Sequence, residues 1–190
     1  CNIPSKNVIS APDVKSIYDI PLNFEKDGLG DILTGLLSLP RKKSNLSKWA
    51  EFVRKSKNGN REVSIAVVGK YFDSGDFVLS DAYLSVIEAI KFSAYSLGVK
   101  PNVAWINAKD IQNGKMSVSD LSQYDGIIVP GGFGETGIEG KIMAAQYARE
   151  NKIPYFGLCY GLHMLVIEYA RHMAGMENAN TTEINPNTSF

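Results

Sequence analysis

The sequence predicts an α/β fold in which a parallel sheet is covered by helices on both faces. After Arg61, short continuous apolar runs alternate with segments of helical periodicity, as expected for strands that are buried on both sides. Gly69, Gly131 and Cys159 stand at the ends of three of these runs. Because parallel sheets carry their chemistry at the carboxyl ends of the strands, we expect the functional site at these positions.

The composition favours a folded protein that binds a small molecule or another protein. Hydrophobic residues make up 44% of the 190 residues, and 20 Lys+Arg balance 20 Asp+Glu. A net charge of zero provides no field that would attract nucleic acid or an anionic membrane, so we expect neither partner. No apolar run approaches the roughly 18 residues of a membrane span and no signal pattern opens the chain, so a cytoplasmic location is expected.

The two cysteines, Cys1 and Cys159, are too few and too far apart for a disulfide framework. Cys1 is expected to be structural, and no residue of the chain is predicted to bind a metal. The opening Cys1-Asn2-Ile3-Pro4 lacks an initiator methionine. We therefore expect the chain to be a fragment that begins inside a longer gene product.

The first 60 residues predict a short helical region that precedes the sheet. Apolar residues recur at helical spacing over residues 24–39, although glycines weaken the pattern. A second helix is predicted over Ser47–Lys57, with Trp49, Phe52 and Val53 on one face. Residues 55–61 are polar, contain a glycine and have no periodicity, so they are the predicted domain boundary.

Strands and helices are predicted to alternate through the rest of the chain. The predicted strands cover residues 63–68, 103–106, 126–129 and 153–158, with a helical turn near Leu121 between the second and the third. Long helices are predicted over residues 81–97 and 138–149 and directly after Cys159. Ser80 can cap the first of these helices and Gly98 can end it.

Two of the long helices carry apolar stripes, which are the faces that amphipathic helices bury. The stripe of the helix over residues 81–97 consists of Tyr83, Val86, Ile87, Ile90, Ala94 and Leu97. The stripe of the last helix consists of Leu162, Leu165, Val166 and Tyr169.

The segment Gly157-Leu-Cys159-Tyr-Gly161 has the form of a nucleophile elbow between a strand and a helix, with cysteine in place of serine. The turn is sharp, so small residues two positions before and after the nucleophile avoid clashes. The N-terminus of the following helix points its partial positive charge at the sulfur and favours the thiolate. The alternative is a buried cysteine that only packs at the end of a strand.

A glycine-rich turn, Pro130-Gly-Gly-Phe-Gly134, ends the strand before the elbow. Consecutive glycines let backbone N–H groups converge on one point, as the oxyanion hole of an acyl-transfer site requires. Taken alone, such a turn is more often only a tight loop. Its position one strand before Cys159 is what favours a functional interpretation.

Several longer motifs accompany these two segments along the chain. They are Ile153-Pro-Tyr-Phe-Gly-Leu-Cys-Tyr-Gly161, Glu177-Asn-Ala-Asn-Thr-Thr-Glu183, Val68-Gly-Lys-Tyr71 and, further on, Asp81-Ala-Tyr-Leu-Ser-Val-Ile-Glu88. Near the start stand Val8-Ile-Ser10 and Asp13-Val-Lys-Ser-Ile-Tyr18. Together these motifs resemble the CTP synthase family, and the resemblance covers nearly the whole chain, including the linker.

The resemblance implies two partial domains. Residues 1–54 resemble the end of a P-loop-type synthetase domain with its trailing helices, and residues 55–61 resemble the linker. Residues 62–190 resemble the first part of a class I glutamine amidotransferase domain, whose fold is flavodoxin-like and is incomplete in this chain. The family makes CTP from UTP, with ATP to activate the uracil 4-oxygen and ammonia from glutamine to displace the phosphate.

The resemblance also implies roles for individual residues. Cys159 is the nucleophile that forms the glutamyl thioester. Gly132 and the N–H of Tyr160 form the oxyanion hole, Gly131 shapes the loop, and Glu183 binds the α-amino group of glutamine. The remaining glutamine contacts are Tyr160, Gly161, Leu162 and His163, and the residues that touch the adenine of ATP are Pro12, Asp13 and Val14.

His163 and His172 receive different interpretations. His163 stands where the family usually has glutamine, and we expect it to line the pocket rather than to act as the base, because an elbow cysteine projects away from the helix that follows it. His172 lies among charged residues and is expected to be exposed. The family's triad histidine and glutamate lie downstream of Phe190, so the chain alone is expected to be inactive.

The resemblance implies ATP and Mg²⁺ as cofactors, with sites mostly outside this chain, and GTP as an allosteric activator. Thr136 stands where the family often has an arginine associated with activation by GTP, which makes the GTP response uncertain. The segment over residues 72–80 is longer than the usual connection. The expected partners are glutamine, UTP and ATP, and the full-length enzyme is expected to be a homotetramer.

Two alternatives remain open on the sequence alone. The first is another class I amidotransferase or a cysteine hydrolase with the same elbow, whose gene product would lack the synthetase domain. The second is a scaffold for assembly or regulation that keeps the fold without turnover. The mass of the native gene product separates the first alternative, and an activity assay of the full-length protein separates the second.

Overall fold

The computed structural model describes residues 2–40, 42–70, 83–132 and 134–190. Within it the chain forms two compact units, Cys1–Gly59 and Asn60–Phe190. The predicted start of a helix at Asp81, its Ser80 cap and the motif residues Tyr71 and Phe133 lie outside the described residues.

The first unit contains three α-helices: α1 (Ile20–Lys26), α2 (Leu29–Leu36) and α3 (Ser47–Lys57). Short 3₁₀ turns form at Ser5–Asn7 and Ile17–Asp19. The single helical pattern predicted over residues 24–39 is therefore two helices. Gly28 separates them because it adopts a φ of 76°, a left-handed conformation that ends α1 and begins α2.

Helix α3 packs on the turn that contains Tyr18, and its predicted bounds are confirmed. The rings of Tyr18 and Phe52 meet edge to face with their centroids 5.3 Å apart, and Trp49 lies 5.4 Å from Phe52. The indole Nε1 of Trp49 donates a hydrogen bond to the carbonyl oxygen of Tyr18 at 2.9 Å. Phe52 and Val53 are buried, as the predicted apolar face requires.

The second unit is built on a parallel sheet of four strands, which confirms the predicted fold class. The strands are β1 (Arg61–Gly69), β2 (Val99–Asn107), β3 (Gly126–Val129) and β4 (Tyr155–Gly157), in the spatial order β2-β1-β3-β4. Strand β2 starts earlier than predicted because it pairs with β1 along its whole length, from Arg61 opposite Val99 to Gly69 opposite Asn107. Strand β4 is shorter than predicted.

Helices α4 (Leu84–Ser96), α5 (Ala108–Gln112), α6 (Ile138–Glu150) and α7 (Tyr160–His172) connect and follow the strands. The predicted turn near Leu121 is a 3₁₀ helix at Val118–Gln123, and Leu121 is fully buried. Gly98, with a φ of 73°, follows the end of α4 as predicted. Leu97 was predicted to lie on the buried stripe of α4, but it is the C-cap residue and is 79% exposed.

The two faces of the sheet carry different sets of side chains. Ala66, Val68, Ile127 and Val129 lie on the face that packs with α5 and α6 in the main hydrophobic core. The alternate strand residues Val63, Ile65, Ile128 and Phe156 line an apolar groove beside α4. Because successive strand residues point to opposite faces, helices cover both sides of the sheet, as the sequence predicts.

The buried face of α7 differs from the predicted stripe. Leu162, Val166 and Tyr169 are more than half exposed, while the buried residues are Tyr160, Gly161, Met164, Ile167 and Glu168. Gly161 fixes this rotation because its backbone lies against β3. A Cβ on Gly161 would lie 1.9 Å from the carbonyl oxygen of Val129, so only a residue without a side chain can approach so closely.

Glu168 is the one acidic side chain on the buried face of α7, and it joins this helix to α6. Its carboxylate is fully buried and accepts three hydrogen bonds from Arg149, the shortest at 2.7 Å. His172 is largely exposed, as predicted, but its Nδ1 lies 3.2 Å from Glu168 Oε1. The charged pair thus compensates for the burial of the carboxylate.

We expect Glu168→Ala to lower the melting temperature of the protein by about 5 to 10 °C, because the variant leaves the Arg149 guanidinium without its buried partner. Glu150→Ala is the matched control. Glu150 also contacts Arg149, at 3.4 Å, but its side chain is 51% exposed, so its loss is expected to shift the melting temperature by less than about 2 °C. Equal shifts in the two variants, measured by circular dichroism, would contradict the role of Glu168.

Candidate active site at the end of the last strand

Cys159 sits in a strained turn between β4 and α7, as the elbow motif predicts. Its φ of 53° and ψ of −113° lie outside the regions that residues with a side chain normally occupy. The residue is exposed and forms the N-cap of the 13-residue α7. An accessible thiol at the N-terminus of a helix is placed for nucleophilic chemistry and not for packing.

The two glycines that flank the nucleophile are required by close backbone contacts. A Cβ on Gly157 would lie 2.6 Å from backbone atoms of Gly161, and a Cβ on Gly161 would overlap the carbonyl of Val129. The Tyr155 hydroxyl also donates a hydrogen bond to the carbonyl oxygen of Gly161 at 2.8 Å. Burial raises the pKa of Tyr155, with a smaller contribution from Glu168, so this hydroxyl keeps its proton and the turn stays anchored.

The glycine-rich loop after β3 lies directly against the nucleophile. A Cβ on Gly131 would be 3.2 Å from the Cβ of Cys159 and 3.6 Å from its Sγ. Gly132 follows with a φ of 141°, a conformation that favours glycine. Within the described parts of the chain, the N–H groups of Gly132 and Tyr160 donate to no backbone carbonyl. The described backbone thus provides no carbonyl acceptor for the N–H of Gly132, which follows the glycine beside Cys159, or for the N–H of Tyr160, which follows Cys159 itself.

Tyr160 connects the elbow to the core below it. Its side chain is only 2% exposed, and its ring packs with Ile138, Ile142, Met164 and Ile167. Burial is the largest cause that raises the pKa of the Tyr160 phenol, followed by the negative charges of Glu183 and Glu135. The ring centroid of His163 lies 5.6 Å from that of Tyr160. Tyr160 therefore anchors the start of α7 in the core, directly after Cys159.

Glu183 lies near Tyr160, although the two residues are distant in sequence. Arg171 holds the intervening segment, since its Nε donates a hydrogen bond to the carbonyl oxygen of Ala179 at 2.8 Å. Ile184 packs against the cluster that contains Tyr160. The Glu183 side chain itself is exposed.

Among the described residues, no side chain forms a hydrogen bond with the Cys159 thiol. His163 is exposed and contacts the ring of Tyr160. Its backbone N–H donates to the carbonyl oxygen of Cys159 at 3.4 Å, which is a helical contact and involves neither the thiol nor the imidazole. Leu162 is 51% exposed at the same end of α7. Both side chains are thus exposed on the first turn of α7.

Lys141 is a site residue that the sequence reasoning missed. It lies on α6, is 1% exposed, and its Nζ is 5.9 Å from the centroid of the Tyr160 ring. The pKa of Lys141 is lowered to about 8, mainly by burial and in part by the positive charge of Lys70, while Cys159 acts in the opposite direction. The signal was its spacing, because Ile138, Lys141, Ile142 and Ala145 fall on one helical face.

The residues expected to contact adenine lie in the first unit. Pro12, Asp13 and Val14 line a cavity of about 340 Å³, whose other walls include Ile17 and Phe24. The cavity offers apolar side chains with a carboxylate at one side.

Over the described ranges, no group of three or more His, Cys, Asp or Glu residues is arranged to hold a metal ion. In the same ranges no helix has the length and apolar character needed to cross a membrane.

Comparisons with known proteins agree on one family. The sequence model of the class I glutamine amidotransferases matches residues 78–187. The chain is 48% identical to a CTP synthase of Caldanaerobacter subterraneus over 188 residues, which are 99% of this chain and 34% of that protein. It is 47% identical to a CTP synthase of Thermococcus gammatolerans, covering all of this chain and 34% of that protein. The chain therefore spans about a third of the length of these relatives.

A solved structure gives the same result for the fold. The glutaminase domain of the Trypanosoma brucei CTP synthase, solved with bound acivicin, matches with a TM-score of 0.60 and 37% sequence identity. The match covers 67% of this chain and 47% of that one.

Proposed function

Because this chain belongs to the class I glutamine amidotransferase family, we propose that it forms the glutamine-hydrolysing part of an enzyme that converts UTP to CTP. The observation that carries the proposal is the arrangement of Cys159, in a strained and exposed elbow, against the Gly131 backbone. The proposal extends to CTP synthesis because the relatives match both units of the chain, including residues that precede the amidotransferase domain.

In the proposed reaction, the Cys159 thiolate attacks the side-chain carbonyl carbon of glutamine. The carbonyl oxygen gains the negative charge, and the N–H groups of Gly132 and Tyr160 stabilise it by hydrogen bonds. Collapse of this tetrahedral species breaks the C–N bond, releases ammonia and leaves a glutamyl thioester on Cys159. Water then cleaves the thioester to glutamate and regenerates the thiol. No described side chain forms a hydrogen bond with the thiol, so we assign the proton transfers to none of them.

The released ammonia is proposed to displace a phosphate from the activated 4-position of the uracil ring. ATP supplies that phosphate, and we propose that the cavity at Pro12, Asp13 and Val14 holds its purine, because apolar side chains line the cavity together with polar groups such as the Asp13 carboxylate. The described residues do not provide a carboxylate cluster for Mg²⁺, so no step is attributed to this chain through the metal. Thr136 offers no cation to GTP, so we propose a weak GTP response.

The sequence left two other functions open, and specific observations argue against each. A stand-alone hydrolase or a different amidotransferase does not account for the similarity to CTP synthases over residues 1–59 as well as over the amidotransferase domain. A scaffold without turnover has no need of a cysteine in a strained conformation at the N-terminus of a helix.

An assay of the full-length protein tests the proposed function. With UTP, ATP and Mg²⁺, CTP is expected to form with either glutamine or free ammonia as the nitrogen source. Release of glutamate without CTP formation under any condition would contradict the synthetase part of the proposal.

We also propose that the full-length enzyme is a homotetramer. Light scattering can measure its molecular mass on the same preparation.

Glu183→Ala is expected to raise the KM for glutamine about ten-fold to a hundred-fold, with a smaller effect on kcat. A carboxylate that binds the substrate ammonium contributes mostly to binding in the ground state, and a charged hydrogen bond is worth about 1.5 to 3 kcal/mol. Glu177→Ala is the matched control, because Glu177 is also exposed in the same segment. Steady-state glutaminase kinetics give KM and kcat for both variants. An unchanged KM for glutamine in the Glu183 variant would show that this carboxylate has no role in binding the substrate.

A further inference from the structure

Lys141 is an unusual residue, because its side chain is almost completely buried although lysine is normally exposed. It lies on α6 and retains only 1% of its accessible surface. In the described parts of the chain, no hydrogen bond or salt bridge to its ammonium is formed. Burying a charge without a partner is costly, so a lysine in this position needs either a nearby negative charge or a function that justifies the cost.

The surroundings of Lys141 contain the nucleophile and a second lysine. The Nζ of Lys141 lies 5.9 Å from the ring centroid of Tyr160, the residue that follows Cys159. The Nζ of Lys70, which follows β1, lies against the glycine-rich loop, since a Cβ on Gly134 would be 3.4 Å from it. Lys141 therefore lies in the core beside the residue that follows the thiol, and Lys70 lies at the loop that ends β3.

We propose that Lys141 is a positioning residue that favours the ionised form of the Cys159 thiol by holding a buried positive charge near it. The proposal rests on the assignment of Cys159 as the nucleophile. The N-terminus of α7 is one source of positive potential at the thiol. Lys141 is a second source, which lies on the core side of the elbow and is shielded from solvent. A buried charge is screened less by water and salt than an exposed one, so its effect on the thiol is larger.

Several charged groups surround Lys141 and Cys159 and act on their protonation. The positive charge of Lys70 acts against the protonated form of Lys141, and the charge of Cys159 acts in its favour. Glu135 and Glu183 act on the Tyr160 phenol from the rim, while His163 contacts the same ring. The pKa of Lys141, about 8, leaves the residue protonated at neutral pH, and the Cys159 charge acts to keep that proton in place. The positive charge is therefore present in the range where a thiolate is needed.

The rate of alkylation of Cys159 by iodoacetamide, measured between pH 5 and 10, tests the proposal. The full-length protein is treated briefly, and the peptide that contains Cys159 is quantified by mass spectrometry, so other thiols do not interfere. In Lys141→Met, the pH midpoint of alkylation is expected to rise by about one unit, and the rate at pH 6.5 is expected to fall about ten-fold. Lys141→Arg retains the charge and is expected to keep the original midpoint.

Lys115→Met is the matched control, because the Lys115 side chain is 73% exposed, and its profile is expected to match that of the unmodified protein. Circular dichroism verifies the fold of each variant, and Lys141→Gln replaces Lys141→Met if the latter does not fold. Superimposable profiles for the folded neutral variant and the unmodified protein would overturn the proposal. That result would leave the glutaminase function intact, because the role of Cys159 is tested separately by activity.

Discussion

Replacing Cys159 by alanine is expected to abolish glutamine-dependent CTP synthesis in the full-length enzyme while ammonia-dependent synthesis continues. The thiol is the only group proposed to bond covalently to glutamine, so its removal should lower the glutaminase rate by at least about 10³-fold. Free ammonia bypasses that step. The two reactions are assigned to different parts of the chain, and the structure also divides it into two units, Cys1–Gly59 and Asn60–Phe190.

The measurement is CTP formation with saturating glutamine and, separately, with an ammonium salt at alkaline pH. Cys1→Ser is the matched control for loss of a thiol and is expected to retain both activities. A similar loss with both nitrogen sources in the Cys159 variant would show that this residue is not confined to glutamine hydrolysis. Retention of glutamine-dependent synthesis would remove Cys159 from the mechanism.

Gly161→Ala is expected to destabilise the amidotransferase unit by about 3 kcal/mol or more and to eliminate glutamine-dependent activity. The new Cβ would lie 1.9 Å from the carbonyl oxygen and 2.8 Å from the carbonyl carbon of Val129. Backbone atoms at such distances cannot be accommodated by a side-chain rotation. Helix α7 would have to move away from β3, and Cys159, its N-cap, would move with it.

Gly35→Ala is the matched control for a helical glycine. Gly35 has no atom within 4 Å of the added Cβ, and its φ is not positive, so the substitution is expected to be neutral or to stabilise by up to about 1 kcal/mol. Urea unfolding followed by circular dichroism gives both values. Equal stability of the Gly161 variant and the unmodified protein would show that the approach of α7 to β3 is not required.

The sequence predicted best those features that depend on neighbouring residues. The bounds of α3 and β3 follow from local apolar patterns, and the elbow follows from the two glycines around Cys159. Glycine also explains the largest local error. The helical spacing over residues 24–39 is real, but the left-handed conformation of Gly28 divides it into two helices, and the pattern of apolar residues does not report backbone handedness.

The face of α7 shows where local pattern fails. The stripe of Leu162, Val166 and Tyr169 is more hydrophobic than the face that is buried, which includes Gly161 and the carboxylate of Glu168. Hydrophobicity alone therefore selected the wrong side. The closest backbone contact, between Gly161 and β3, fixes the rotation of the helix, and the pairing of Glu168 with Arg149 lets a charged residue enter the interior.

The α/β class, the succession of the strands and the elbow around Cys159 were predicted from the sequence, because each depends on periodicity or on a motif within about ten residues. The surroundings of the elbow become visible only in the folded chain. Gly131 lies against Cys159, Lys141 lies beside the ring of Tyr160, and Ile184, the neighbour of Glu183, packs in the Tyr160 cluster. Contacts between segments distant in sequence depend on strand order and helix rotation, which no local pattern encodes.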